Sequence, residues 1–280
     1  MTRINHISIE KLMARYSVLL LDAYGVLVHT SGALPGAARL IDALNRTKKP
    51  YYILTNDASK LPATAAQLFQ NFGLAITPDS IITSGSLLAD YFARHQLKNL
   101  PCAVLGPEDS VRYVELAGGK VVAARDPFEV LVIGDESGYP FLETIDTVLS
   151  GLFAKFDSGA DVHLVLPNPD LIYPKADHGF GIASGSIALI LEAALQRRYP
   201  DRPELKFTPL GKPHAAIFNE ALKRSGTMEM VMIGDQLETD IQGAGQFGLD
   251  SVLVHTGIAN VNPDDVDTSA QPTYFLDRLN

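Results

Sequence analysis

A single cysteine, Cys102, stands in a chain of 280 residues. It excludes an intrachain disulfide and fits a reducing compartment. Long apolar runs are also missing: none approaches the roughly 20 residues that a membrane-spanning helix needs. Met1 to Glu10 lack the apolar centre of a signal peptide, so a cytoplasmic protein with no membrane partner is expected. Positive charge is in deficit, with 23 Lys and Arg against 32 Asp and Glu and a net charge of -9. That balance argues against a nucleic-acid partner, which requires a basic footprint. It leaves room for small anionic substrates, because a site can be locally positive on an acidic protein. No low-complexity segment is present. His6, His29, His95, His163, His214 and His255 are scattered without metal-ligand spacing.

The composition, 46% hydrophobic and 20% charged, is ordinary for a soluble globular enzyme. The length predicts one large domain or a core plus a smaller domain. Short apolar runs at Val18–Leu21, Tyr51–Leu54, Ala103–Leu105, Val130–Ile133, Val162–Val165, Val231–Ile233 and Val252–Val254 read as strands. Helical patterns lie between them at Ala37–Asn45, Ala63–Phe72, Phe141–Phe156, Ile187–Arg197 and Pro213–Arg224. The alternation predicts an α/β fold, a Rossmann-like doubly wound parallel sheet with helices on both faces. Ligands of such sheets bind at the carboxyl ends of the strands. Polar residues at those ends are Asp22, Thr55 with Asn56, and Asp235.

Thr83-Ser-Gly-Ser-Leu is echoed by Ala183-Ser-Gly-Ser-Ile. Each precedes a helical pattern, so Ser84 or Ser86, and Ser184 or Ser186, are candidate N-caps. Two ordinary capped helices would explain the echo. The reading preferred here is that the pair flanks an inserted domain of roughly 100 residues. The expected boundaries are a core over 1–82, an α/β cap over 83–184 and the returning core over 185–280.

Four short segments carry candidate chemistry. LLLDAYGVLV, Leu19 to Val28, delivers Asp22 from a hydrophobic strand into a tight turn at Gly25. Alone, Asp22 reads more readily as a cap than as a nucleophile or metal ligand. In VMIGDQLETDIQGA, Val231 to Ala244, a second strand ends in Gly-Asp, and Asp240 follows five residues on. The helix dipole accommodates acids there, yet crowded carboxylates repel and a cation relieves the repulsion. Mg²⁺ is held by one or two carboxylates together with waters and phosphate. Lys212, in Leu210-Gly-Lys-Pro, reads alone as a solvated turn residue, but it is placed to offset carboxylate and phosphate charge. Thr55 and Asn56, in LTND, offer donors to phosphate oxygens and equally suit a turn. Each segment is weak alone; their order at strand ends is a stronger signal.

Together these segments resemble the haloacid dehalogenase superfamily, and within it the branch whose large α/β cap lies between the second and third motifs. That branch includes nitrophenyl-phosphatase-like and sugar-phosphatase-like enzymes. The resemblance rests on DAYGVL (Asp22–Leu27), Leu34-Pro-Gly-Ala, LTND, Thr83-Ser-Gly, Asn168-Pro-Asp, Gly211-Lys-Pro and GDQLETDIQGA (Gly234–Ala244). It implies an Mg²⁺-dependent hydrolase of small-molecule phosphate monoesters, with Asp22 attacking phosphorus to form an aspartyl-phosphate. Thr55 and Asn56 would bind the phosphoryl group and Lys212 would neutralise it. Mg²⁺ would lie among Asp22, the Tyr24 carbonyl and Asp235, with Asp240 holding its water shell or binding directly. The partner would be a small phosphorylated metabolite, and a cap-to-cap homodimer is in keeping with the family. A cap of this kind would close over the Asp22 edge and exclude water.

One departure stands out. Phosphatases of the family usually carry a second Asp two residues after the nucleophile, as leaving-group acid and then water-activating base. Here that position is Tyr24, whose pKa near ~10 makes it a poor base at neutral pH. Loss of general acid–base help costs about 10²–10⁴-fold, so slow turnover is expected. The same departure ranks two further readings below a phosphatase: a weakly active or inactive phospho-ligand binder, then a metal-free carbon–halogen hydrolase. GDQLETD and the long insertion argue against the last.

Specificity candidates lie in NPDLIYPKADHGFGIA, at Lys175, Asp177 and His178, although a solvated loop explains the stretch at least as well. Asn168 and Asp170 suit a turn. His29 follows the first motif closely enough to belong to a nearby flap. Gly243-Ala-Gly-Gln-Phe-Gly fits G-x-G-x-x-G, but it lacks the preceding strand of a dinucleotide site and is read as helix packing. Met228, Met230 and Met232 are expected in the core.

Overall fold

The computed structural model describes residues 5–175, 179–254, 271–276 and 279. The chain separates into two compact units, one of 1–55, 62–82 and 212–280, the other of 56–61 and 83–211.

The first unit carries a seven-stranded sheet in the order Asn5–His6, Tyr274–Leu276, Asp250–Val254, Met230–Gly234, Val18–Asp22, Tyr51–Thr55, Ile81–Thr83. Val18–Asp22 is an inner strand and pairs in parallel with both neighbours, Leu20 opposite Met232 on one side and Tyr52 on the other. Strands flanked on both sides must be apolar on both faces. Val252, Val254, Tyr274 and Leu276 accordingly join one core layer, with Leu12 and Leu40 from the helices Ile9–Arg15 and Ala37–Thr47. The alternating residues Leu253 and Phe275 pack on the opposite face against Ile241.

The second unit has a five-stranded parallel sheet in the order Thr208–Pro209, His163–Leu166, Val130–Ile133, Pro101–Leu105, Lys120–Val121. Its core joins Leu105, Leu131, Ile133 and Leu164 to the helices Phe141–Asp157 and Ser184–Arg198, through Val148, Leu152, Ile187 and Leu191. This packing corrects the expected return to the first unit at 185. The Ser184–Arg198 helix buries its apolar stripe on the second sheet, so the chain crosses back only between Gly211 and Lys212.

Two smaller expectations also change. Thr83, rather than Ser84 or Ser86, caps its helical turn by accepting from the Ser86 N–H. At the other copy neither serine caps; Ala183 stands at the cap position, and the Ser186 hydroxyl donates to the Leu171 carbonyl. Met230 and Met232 are core residues, but Met228 precedes the strand and is exposed. Among the described residues, no helix is long and apolar enough to cross a membrane.

Candidate functional site

The first unit gathers its buried charge at the carboxyl ends of two adjacent strands. Asp22 ends Val18–Asp22, and Asp235 follows Met230–Gly234 directly. Both are buried, as is Asp240. Asp240 is brought back by a short π-helical turn, Leu237–Ile241, whose wider ring lets its carboxylate accept from the Gln236 N–H at 3.2 Å. One oxygen from each of Asp22, Asp235 and Asp240 lies within 4.8 Å of the others.

Two glycines allow this crowding. Gly25 has φ +90°, and a Cβ there would stand 2.2 Å from Asp235 Oδ2. The turn around it is closed by Leu27 and Val28 N–H groups donating to the Ala23 carbonyl at 2.9 Å. A Cβ at Gly234 would meet Asp240 Cβ at 2.2 Å. The Gly25 turn was legible in the sequence. The role of Gly234 was not, although a glycine between a buried strand and an Asp is the signal that could have revealed it.

Lys212 is buried with the carboxylates. Its Nζ donates to Asp22 Oδ1 at 2.5 Å and to Asp240 Oδ1 at 2.7 Å. Burial alone would lower its pKa, but Asp22 and Asp240 outweigh burial and keep the ammonium charged. Burial pushes the Asp22 carboxyl well above the usual carboxylate range; Lys212 opposes this, while Asp240 and Asp235 add to it. Among the described residues, the Lys212 ammonium thus pairs with two of the three gathered carboxylates. A gathered set of hard oxygen donors suits Mg²⁺, and Asp22, Asp235 and Asp240 are the side chains that would hold it.

Thr55 ends the strand beside Asp22 and is buried. Tyr24 is half-buried, and its side chain packs against the core of the first unit. Asn56 clusters with the second unit, where its Nδ2 donates to Asp170 Oδ1 at 2.8 Å. Asp170 is therefore more than the turn residue expected from its Asn-Pro-Asp setting. Lys175 is exposed, its Nζ 5.5 Å from the centre of the Tyr173 ring. Asp177, His178 and His255 lie outside the described residues. His29 is exposed on a two-stranded ribbon, Val28–His29 with Gly32–Ala33, and its Nδ1 is 2.9 Å from Ser31 Oγ. The G-x-G-x-x-G stretch is a helix, Gln242–Phe247, ended by Gly248 at φ +88°. Gly243 makes room for Pro213 and Phe218.

Comparison with known proteins extends this geometry. Residues 19–120 match the model of the haloacid dehalogenase-like hydrolases, and residues 209–280 match the HAD-hydrolase-like model. The chain belongs to the haloacid dehalogenase-like hydrolases. It is similar to a dihydroxyacetone phosphatase of Corynebacterium glutamicum, 29% identical over 90% of this chain and 84% of that protein. An acid sugar phosphatase of Staphylococcus epidermidis is 27% identical over 96% of this chain and 97% of that one. A crystal structure described as a possible sugar phosphatase of the HAD superfamily, from Cytophaga hutchinsonii, matches with a TM-score of 0.84 at 29% identity. That match covers 99% of this chain and 98% of the other.

Proposed function

We propose that this HAD-family chain hydrolyses phosphate monoesters of small sugars, with Asp22 as nucleophile and Mg²⁺ as cofactor. The observation that carries the reading is the buried set of three carboxylates with Lys212 joined to two of them. The relatives named as dihydroxyacetone and sugar phosphatases support the substrate class.

In this reading an Asp22 oxygen attacks phosphorus, the P–O bond to the sugar oxygen breaks, and the departing alkoxide takes a proton from water. Water then attacks the aspartyl-phosphate, freeing Asp22 and inorganic phosphate. Lys212 stays charged throughout and faces the developing charge on the phosphoryl oxygens. The Thr55 hydroxyl and the Asn56 carboxamide donate to those oxygens. Asp22, Asp235 and the Tyr24 carbonyl would hold Mg²⁺, with Asp240 on its water shell or binding directly, and the ion would supply positive charge to offset that of nucleophile and ester.

Tyr24 sets the pace. It replaces a carboxylate that would protonate the leaving group and activate water, so hydrolysis of the aspartyl-phosphate is the slow step. Phosphate release from sugar phosphates, with and without Mg²⁺ and with Asp22→Asn as control, tests the activity. Mg²⁺-dependent release that is lost in Asp22→Asn is expected; no release from folded protein in Mg²⁺ would overturn the reading in favour of a phospho-ligand binder. With 4-nitrophenyl phosphate, a burst of nitrophenol near one equivalent followed by a slow steady state is expected. A uniformly fast rate would remove Tyr24 as the bottleneck.

A further inference from the structure

The segment after Thr55 is held along its length by buried side chains of the second unit. Ser84 Oγ donates to the Asn56 carbonyl at 2.7 Å, Ser110 Oγ to the Ala58 carbonyl at 2.8 Å, and Tyr113 OH to the Lys60 carbonyl at 2.5 Å. Asp109 Oδ2 accepts from the Leu61 N–H at 2.9 Å. Three alternate carbonyls and the last N–H are therefore fixed by side chains. Ser84, Ser110 and Tyr113 are themselves buried. With the backbone held so, the freedom left to Asn56 is rotation of its side chain, including which end of the carboxamide faces which way.

Asp170 settles that rotation. A carboxylate oxygen only accepts, so the contact between Asn56 Nδ2 and Asp170 Oδ1 at 2.8 Å selects the amino end for Asp170. The carboxamide oxygen then faces Gly211, where a Cβ would stand 2.4 Å from it. Asp170 is in turn fixed from both sides. Its N–H donates to Asn168 Oδ1 at 2.9 Å, and its carbonyl accepts from the Gly185 N–H at 2.9 Å at the start of the Ser184–Arg198 helix. Gly185 admits the loop, since a Cβ there would lie 2.3 Å from the Pro169 carbonyl oxygen.

We infer that Asp170 is a positioning residue, which orients the Asn56 carboxamide so that Asn56 meets phosphate as a donor and not as an acceptor. The inference rests on the reading of Asn56 as a phosphate contact. An acceptor oxygen turned toward a phosphate would repel it, so the hydrogen bond that Asn56 offers depends on its orientation.

The test is a double-mutant cycle on Asn56→Ala and Asp170→Ala, read as kcat/KM and as the dissociation constant of inorganic phosphate in Mg²⁺. Asp170→Ala should lower kcat/KM and weaken phosphate binding by about 10–100-fold, the scale of a hydrogen bond to a charged group. Asp170→Asn, whose oxygen still accepts, should restore both to within about threefold. The double variant should match Asn56→Ala alone, because Asp170 acts through Asn56. Additive losses would overturn the inference and make Asp170 a structural residue. An Asn56→Ala variant that binds phosphate normally would overturn it too. Coupling in phosphate affinity without turnover by the wild type would leave the positioning role standing and sink the phosphatase reading, which separates the two failures.

Discussion

The two units are built on the same plan and differ at the same place. Each has a parallel sheet whose central strands end in short polar turns. In the first unit those ends carry Asp22 and Asp235, both buried, with Asp240 and Lys212 folded in beside them. In the second unit the Val130–Ile133 strand ends in Gly134, Asp135 and Glu136, and His163–Leu166 ends in Pro167 and Asn168. There the polar groups serve the turns: Asp135 Oδ1 accepts from Ser137 N–H at 3.0 Å and Oγ at 2.6 Å, and Asn168 accepts from Asp170. The carboxyl edge of a parallel sheet is thus an opportunity for a site. The first unit uses it by gathering buried charges, and the second by tying its polar groups into turns.

The comparison breaks most sharply at the nucleophile. Asp22→Asn should lower kcat by at least about 10³-fold, as removal of a nucleophile does. Asp135→Asn, the same change at the matching edge of the second unit, should leave kcat/KM unaltered and change stability little, because its amide oxygen still accepts the Ser137 hydrogen bonds. Steady-state kinetics and denaturant melts of both variants decide this. A catalytic loss in Asp135→Asn as large as that in Asp22→Asn would erase the distinction between the two edges.

Lys212 comes next. Lys212→Met leaves Asp22 and Asp240 without their shared ammonium, and breaking a buried ion pair costs about 3–5 kcal/mol. Activity should fall by about 10²–10³-fold, the scale of one lost electrostatic stabiliser. If the three carboxylates take Mg²⁺, the variant should gain more melting temperature from added Mg²⁺ than the wild type does. Equal gains would mean that the cation and Lys212 do not share those carboxylates.

Much of this was legible in the sequence, for a physical reason. Strands covered on both faces are uninterrupted apolar runs, so Val18–Leu21 and Val130–Ile133 announce themselves and their last residues mark the edges. Asp22, Thr55 and Asp235 stand out because they end or follow such runs, and Lys212 and Asp240 because they lie just before and within the acidic segment at Asp235. The two-residue strands Lys120–Val121 and Thr208–Pro209 have no periodicity to read. The return point of the chain was misplaced because the Ser184–Arg198 stripe shows that the helix is covered, but not by which sheet. The Asn56–Asp170 pair was invisible for a similar reason: the two residues are far apart in sequence, and each alone suits a turn.

Gly25 gives a smaller effect on the same contrast. Alanine at φ +90° adds about 1–2 kcal/mol of backbone strain, and its Cβ would stand 2.2 Å from Asp235 Oδ2. Gly25→Ala should therefore lower stability modestly while shifting the Asp235 carboxylate and weakening Mg²⁺ binding. Gly159, also at positive φ (+77°) but with open space around its missing Cβ, supplies the control. Gly159→Ala should show the strain without any change in Mg²⁺ dependence. If both variants keep wild-type Mg²⁺ titrations, the tight approach of Asp235 to the turn has no functional weight.

The smallest effect lies at the second unit's own edge. Burial, then the nearby Asp135 charge, raises the pKa of the half-buried Glu136 to about 7. An unfolded Glu releases its proton near ~4.3. Between that pH and about 7 the folded chain holds a proton that the unfolded chain has lost. Stability from this group is therefore complete in acid and lost as pH rises through about 7. Glu136→Gln carries no charge to be disfavoured. Its melting temperature should match the wild type near pH 4 and exceed it above pH 7, with the gap opening across that window. Solvent reaches the carboxyl, so the gap should be small. A gap independent of pH would show Glu136 to be an ordinary solvated carboxylate. The second edge would then hold no buried negative charge, and the contrast with the buried Asp22, which Lys212 pairs, would sharpen.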